Sequence, residues 1–177
     1  MGWLSLQGLA AYGHRKGTDE ANSVTTRKGL ISIATAGSAL LLLGALAFQY
    51  LGGLAPCHLC ILQRWPHLAA VLIGLVALMV PGRLLPLFGA AAALITAGIG
   101  LYHTGVERLW WQGPTSCSAG SIAGIDMKDL LDPTIVVAPV VRCDQVAWEM
   151  LGLSMASWNM LASLVLAVIW LMAARRS

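Results

Sequence analysis

Four long apolar stretches constrain this chain more than any other feature of its sequence. They cover residues 30–51, 61–80, 84–102 and 158–173. A helix rises 1.5 Å per residue, so about 20 apolar residues cross a bilayer hydrocarbon core of about 30 Å. A mean hydropathy of +0.75 with only 11% charged residues is also typical of membrane proteins. We therefore predict an all-α integral membrane protein, in which a four-transmembrane-helix bundle (29–177) follows a cytoplasmic tail (1–28).

Basic residues are distributed unevenly between the two sides that these spans define. Most of the eleven lysines and arginines lie in the tail, in the turn at 81–83 or after the last span. They are Arg15, Lys16, Arg27, Lys28, Arg83, Arg175 and Arg176. Lys and Arg are enriched in cytoplasmic segments, so both termini should face the cytoplasm. The loops 52–60 and 103–157 of this multi-pass protein would then face outward, which in a bacterium means the periplasm.

The long outer loop contains two short apolar segments. Residues 130–141 are apolar but are interrupted by Pro133 and Pro139, and they are too few to span a bilayer. A second patch surrounds Trp148 and Leu151. We expect both segments to be short interfacial helices that lie on the membrane surface.

All four cysteines lie in or beside these two outer loops. They are Cys57, Cys60, Cys117 and Cys143. An even number of cysteines on one side of a membrane indicates an oxidising compartment. Cys117 and Cys143 could form a purely structural disulfide, or they could be a redox pair that exchanges with the first pair and with a partner.

The motif Cys57-x-x-Cys60 comes directly before the second span, and Arg64 follows Cys60 by four positions. If the helix begins near Cys60, the helix dipole and the free N–H groups there stabilise a thiolate. Arg64 then lies one turn further along the same face. An arginine at that depth in a membrane is costly, so it is functional by default. This arrangement suggests electron transfer from a dithiol to a membrane-soluble acceptor.

Each of these features also has a simpler interpretation. The two nearby thiols could be half of a zinc site, although no second CxxC and no His-x-x-x-His accompanies them. They could also form an inert disulfide. Arg64 could be an interfacial anchor that extends to the phosphates. His67 lies about one turn beyond Arg64 and could share a pocket with it, and His103 could contact the acceptor or only water.

The composition excludes other classes of function. The formal net charge is only +3, and the chain has no GxGxxG motif, no P-loop and no basic run with interleaved aromatic residues. We therefore expect no nucleic acid partner.

Three motifs together resemble the disulfide bond formation protein B (DsbB) family, the quinone reductases of bacterial inner membranes. They are Pro56-Cys57-x-x-Cys60-x-x-x-Arg64, Pro114-x-x-Cys117 and Cys143-x-x-x-x-Trp148-x-x-Leu151-Gly152-Leu153-Ser154-Met155-x-x-Trp158. The resemblance covers about residues 30–175 and includes the number and orientation of the spans. The tail is longer than in the family, and no function transfers to it.

The resemblance implies a bundle that binds a quinone, either ubiquinone or menaquinone, in the outer leaflet. Cys57 and Cys60 would be the pair that the quinone reoxidises, with Cys60 next to the quinone ring. Arg64 would hold a quinone carbonyl. His103 matches a family position when a gap of one residue is allowed, and we include His67 as a further candidate contact.

The resemblance also implies a periplasmic partner with a DsbA-like thioredoxin fold. Cys117 would form the mixed disulfide with this partner, and Cys143 would resolve it. We predict a thiol:quinone oxidoreductase that uses the membrane quinone pool, with no metal site. The alternatives are a family member dedicated to one specific thiol substrate, a reductase that sends electrons outward, a membrane protein that handles metals with thiol ligands, and a structural protein with two disulfides.

Overall fold

The computed structural model describes residues 26–114 and 141–176 of the chain. Its helices are α1 (Arg27–Tyr50), α2 (His58–Met79), α3 (Leu84–Glu107) and α4 (Met155–Arg175). All four are long and apolar enough to cross a membrane. The predicted four-helix, multi-pass membrane protein is thereby confirmed. Most of the predicted tail, Cys117 and the apolar segment at 130–140 lie outside the described residues.

Helix α2 begins three residues before the predicted span, because a side chain caps it. Cys57 is the N-cap in extended conformation, and its Sγ accepts a hydrogen bond from the backbone N–H of Cys60 at 3.2 Å. N-cap side chains satisfy N–H groups that have no carbonyl partner within the helix. The cap places Cys60 in the first turn of α2, and Arg64 follows one turn later.

Helix α3 continues five residues beyond the predicted span. His103 and Glu107 consequently lie on one helical face at i,i+4 spacing. A side-chain contact helps to close the end of this helix: Trp111 Nε1 donates to the carbonyl of Tyr102 at 2.9 Å. The Trp111 ring then covers Gly105, where a Cβ atom would lie 2.0 Å from the ring. Only glycine fits at this position.

Small residues allow the helices to approach closely, as is common in membrane bundles. The main core cluster contains Ala34, Ala77 and Ala93 together with the fully buried ring of Trp170. Gly89 of α3 lies directly under that ring, with room for no side chain. The α3–α4 interface is the most extensive in the bundle.

The described part of the outer loop holds a β-hairpin in place of a predicted interfacial helix. Strand β1 (Glu149–Met150) pairs antiparallel with β2 (Leu153–Ser154). Leu151 and Gly152 both have positive φ, at 56° and 74°, which is the conformation of a two-residue hairpin turn. Ser154 ends the hairpin and caps α4, since its side chain accepts from the N–H of Ser157.

Two glycines in different surroundings predict substitutions with opposite effects on the stability of the bundle. A Cβ atom on Gly74 would lie 1.9 Å from Thr35 Oγ1, which is buried and donates to the Ile31 carbonyl. Gly74→Ala should therefore destabilise the bundle by about 1–3 kcal/mol through overpacking. Gly98 meets no atom within 4 Å, so Gly98→Ala should stabilise helix α3 by up to about 1 kcal/mol. Thermal unfolding in detergent measures both, and equal melting temperatures would contradict this packing.

Candidate functional site

Cys57 and Cys60 face each other across the first turn of α2. Their Sγ atoms are 2.8 Å apart, and both are free thiols. Cys57 is only 4% exposed, whereas Cys60 is partly exposed and lines a cavity. The hydrogen bond with the Cys60 thiol, followed by burial, raises the pKa of Cys57. Of the two sulfurs, Cys57 therefore keeps its proton to higher pH.

The cavity has a volume of about 300 Å³ and is bounded by α1, α2, α4 and the hairpin region, with His103 from α3. Most of its wall is apolar, including Leu41, Phe48 and Trp148. Its polar lining comes from Cys60, Gln63, Arg64, His67, His103 and Asn159. A mainly apolar pocket with a few convergent polar groups is the usual form of a small-molecule site. The cavity brings together four of the predicted site residues.

Arg64 contributes a positive charge to this cavity. Its Nη1 donates to Gln49 Oε1 at 2.6 Å, and its Nη2 donates to the Ala45 carbonyl at 3.4 Å. Its Nε is buried and has no hydrogen-bond partner among the described residues. No carboxylate in the described part of the chain forms an ion pair with it. Arg64 is therefore oriented by α1, and its charge remains available to an oxygen-bearing ligand.

His103 lies between the Cys57–Cys60 motif and the outer loop. Its Nδ1 is 3.0 Å from Gln63 Nε2, and its Nε2 is 3.6 Å from Cys57 Sγ. The same Nε2 is 3.8 Å from Glu107 Oε1, and the ring also hydrogen-bonds with the backbone of Cys143. His103 thus contacts a residue of each cysteine-bearing segment.

Cys143 is fully buried and disulfide-bonded. It packs in one apolar cluster with Cys57, Leu59 and Val106. Beside it, Arg142 Nε donates to Asp144 Oδ1 at 2.9 Å, and this bond lowers the pKa of Asp144. The cluster places the outer loop against Cys57. The fourth cysteine lies outside the described residues.

His67 is buried and also lines the cavity. Its Nε2 is 2.9 Å from Asn159 Oδ1 and 3.4 Å from Ser163 Oγ. Its Nδ1 is buried without a hydrogen-bond partner among the described residues.

Four polar residues in and near the site were not predicted from the sequence: Gln63, Asn159, Thr96 and Glu107. The first three are linked by direct hydrogen bonds, and Glu107 accepts a hydrogen bond from Ser154. The signal that could have found the first three is that polar side chains within apolar spans are expensive, and are functional by default. Glu107 lies beyond the predicted span, so this signal does not apply to it.

Three potential metal ligands also converge here. The ligand atoms of Cys57, Cys60 and His103 lie within 4.8 Å of one another. A metal-bound histidine normally donates from its other ring nitrogen. Here the amide nitrogen of Gln63 faces that other nitrogen, and an amide nitrogen can only donate. The group opposite this nitrogen is therefore a donor, not the acceptor that normally stands behind a metal-bound histidine.

Comparison with known proteins points to one family. The model of the family "Disulfide bond formation protein DsbB" matches residues 27–173. Disulfide bond formation protein B of Stutzerimonas stutzeri is 31% identical over 81% of this chain and 92% of its own length. Disulfide bond formation protein B 2 of Pseudomonas aeruginosa is 35% identical over 70% of this chain and 76% of its own length. Disulfide bond formation protein B of Verminephrobacter eiseniae is 34% identical over 83% of this chain and 85% of its own length. No solved structure is a significant match.

The unequal surroundings of the two thiols predict unequal reactivity. With the Cys143 disulfide intact, a small apolar maleimide at pH 7 should alkylate Cys60 in Cys57→Ser about ten times faster than Cys57 in Cys60→Ser. Cys57 is buried, and burial keeps its pKa above the ordinary thiol value of 9.0, so less thiolate is present. Raising the pH should accelerate the slow reaction. Equal rates at pH 7, followed by mass spectrometry, would contradict this assignment.

Proposed function

We propose that this chain, which belongs to the DsbB family of disulfide bond formation proteins, is a thiol:quinone oxidoreductase of a bacterial inner membrane. Its proposed task is to reoxidise a periplasmic, DsbA-like protein of the thioredoxin fold and to pass the electrons to membrane quinone. This proposal rests on one observation: the start of α2 places the sulfurs of Cys57 and Cys60 in different surroundings. Cys57 packs against Cys143, while Cys60 and Arg64 line an apolar cavity.

On the protein side, the reduced partner attacks a loop disulfide that we assign to Cys117 and Cys143. The partner leaves with its own disulfide formed, and the loop becomes a dithiol. The loop dithiol then reduces the Cys57–Cys60 disulfide by two exchanges. The Cys143 thiolate attacks Cys57 and releases Cys60, and Cys117 then attacks Cys143 and releases Cys57. The shared apolar cluster of Cys57 and Cys143 supports this route.

On the membrane side, the Cys57–Cys60 dithiol would close to a disulfide and give its two electrons and two protons to a quinone held in the cavity, which would be released as a quinol. The fit of the site to a quinone is supported by the apolar walls and by two buried polar atoms, Arg64 Nε and His67 Nδ1, that have no partner among the described residues. Cys60 supplies the reducing sulfur. The Arg64 guanidinium stabilises negative charge that develops on a ring oxygen, as donors of an oxyanion hole do.

The direction of electron flow has an energetic reason. A DsbA-type oxidase is a strong oxidant, with a potential of about −120 mV, and the periplasm is kept oxidising by a chain of DsbA, DsbB and quinone. Only a more oxidising acceptor can recharge such a partner, and each 30 mV is worth about 1.4 kcal/mol for two electrons. A respiratory quinone meets this requirement better than a second protein dithiol.

The arrangement of charge along the bundle supports the proposed orientation. Arg27 begins α1, Arg83 precedes α3 and Arg175 ends α4, so these cations lie at one end of the bundle. Cys57 lies at the other end, before the first residue of α2. By the positive-inside rule, the cysteine end faces the periplasm.

Turnover with a reduced thioredoxin-fold oxidase and a short-chain quinone tests the function. The purified protein should oxidise the partner and consume quinone in equal amounts. Cys60→Ser should abolish quinone consumption, because no cysteine thiol of the described residues then lines the cavity, yet its loop pair should still accept one pair of electrons. Quinone absorbance and thiol counting by mass spectrometry measure the two steps. Continued quinone turnover by Cys60→Ser would refute the role of this residue.

Removing the cavity charge should affect one substrate and not the other. Arg64→Ala should raise the KM for quinone by about tenfold to a hundredfold, since a hydrogen bond to a charged group contributes about 1.5–3 kcal/mol. The KM for the protein partner should stay unchanged. Arg83→Ala is the matched control, because Arg83 lies at the opposite end of the bundle. An unchanged quinone KM in Arg64→Ala would mean that the quinone binds elsewhere.

A further inference from the structure

Five side chains from α2, α3 and α4 form one hydrogen-bonded network inside the bundle. They are Gln63, His67, Thr96, His103 and Asn159. Asn159 is partly buried, and the other four are at most 6% exposed. A buried polar network is costly unless its donors and acceptors are matched. The direction of each hydrogen bond can be worked out from backbone carbonyls, which only accept.

The first fixed point is the carbonyl of Leu59. The side-chain atom of Gln63 that faces it at 3.2 Å must be a donor, and is therefore Nε2. The same Nε2 lies 3.0 Å from His103 Nδ1. His103 Nδ1 must then be the acceptor, which is the ring nitrogen without a proton in neutral histidine.

The second fixed point is the backbone carbonyl of Gln63. It accepts from the hydroxyl of Thr96 at 3.1 Å, so the hydroxyl proton is already used. Thr96 Oγ1 can only accept from Asn159, and the atom that faces it at 3.2 Å is Nδ2. Asn159 Nδ2 also donates to Gln63 Oε1 at 2.7 Å. The two fixed points therefore give the same orientation for both amides.

Asn159 Oδ1 is consequently the atom that faces His67. Since this oxygen only accepts, His67 Nε2, at 2.9 Å, must donate to it. Its Nδ1 then lacks a proton in the neutral ring. We propose that Gln63 and Asn159 are positioning residues that hold both buried histidines with the proton on Nε2.

For His103, this tautomer directs an N–H toward Cys57 Sγ, 3.6 Å away. The other tautomer would direct a lone pair at the sulfur. The charged or titratable groups near the ring are Cys57, Cys60 and Glu107, the last 3.8 Å from Nε2 on the same helix, and the ring also hydrogen-bonds with the backbone of Cys143. In the second exchange of the proposed route, Cys117 forms a bond to Cys143, the Cys143–Cys57 bond breaks, and the electron pair stays on Cys57. The N–H of His103 stabilises that leaving thiolate.

For His67, the same tautomer leaves an acceptor in the cavity lining. A quinol hydroxyl can donate to this nitrogen, whereas a quinone carbonyl cannot. Both kinetic consequences rest on the proposed function, but the tautomers themselves do not.

Nitrogen-15 NMR of histidine-labelled protein in detergent tests the tautomers directly, because a ring nitrogen without a proton resonates far from a protonated one. The chain has only four histidines, and His67→Gln and His103→Gln identify the two signals. Both rings should be protonated on Nε2 in the unmodified chain. Protonation of His103 on Nδ1 would overturn the proposal, whatever the variants do.

Gln63→Met removes the amide and keeps the volume, so His103 should become a mixture of tautomers. Transfer of electrons from the reduced loop pair to Cys57–Cys60, followed without quinone by acid quenching and alkylation, should slow by about tenfold. Thr104→Val is the matched control. Its hydroxyl is buried next to His103 but bonds to Gly100 and Ser157 instead, so this variant should change neither signal nor rate.

An unchanged His103 signal in Gln63→Met would also refute the role of the amide. The result is separable from the proposed function. Two rings protonated on Nε2 in a protein that never reduces quinone would support the network and refute the enzyme activity.

Discussion

The hydrogen bond from the N–H of Cys60 to the sulfur of Cys57 is the contact on which the rest of the site depends. It starts α2 at His58 and so fixes the direction in which every later side chain of that helix points. Through this cap, one sulfur faces the outer loop and the other faces the cavity. Two thiols in an unstructured loop would share one environment. The start of the helix gives the two thiols different environments, although their sulfur atoms are only 2.8 Å apart.

Burial of polar groups within an apolar bundle requires that each group finds a partner. The network from His103 to His67 meets this requirement across three helices, and small residues such as Gly74 and Gly89 let the helices come close enough. The exceptions are informative. Four buried polar side-chain atoms lack partners in the described part of the chain, and two of them, on Arg64 and His67, belong to residues that line the cavity. The other two, on Ser38 and Trp170, have no role that we can assign.

Local patterns in the sequence predict local features of the structure well. The four spans follow from hydropathy, and the shared face of Cys60 and Arg64 follows from their spacing of four residues. The start of α2 was less accessible, because a cysteine cap is invisible to a hydropathy pattern. The hairpin was mispredicted as a helix, since its apolar side chains obscured the turn formed by Leu151 and Gly152.

Contacts between distant residues were beyond the reach of sequence periodicity. His103 lies 46 positions from Cys57, and Asn159 lies 96 positions from Gln63. Their meeting depends on how α3 and α4 pack against α2, which no single-helix pattern encodes. The sequence did suggest a shared pocket for Arg64 and His67, because one helix carries both. The catalytic and binding roles of these residues remain predictions.

The two sulfurs of Cys57 and Cys60 and the nearby nitrogen of His103 could serve either thiol chemistry or a metal site. Which of these two chemistries they suit depends on whether His103 Nε2 carries a proton. Cys57, Cys60 and His103 offer zinc-type ligand atoms that lie within 4.8 Å of one another. A histidine that binds zinc through Nε2 must have no proton on that nitrogen. Its Nδ1 then carries the proton and normally donates it to an acceptor. The carbonyl of Leu59 turns the amide of Gln63 so that a donor stands there instead. In the tautomer that we propose, a backbone group one turn before Gln63 would thereby favour thiol exchange over metal binding, although neither chemistry involves that group directly.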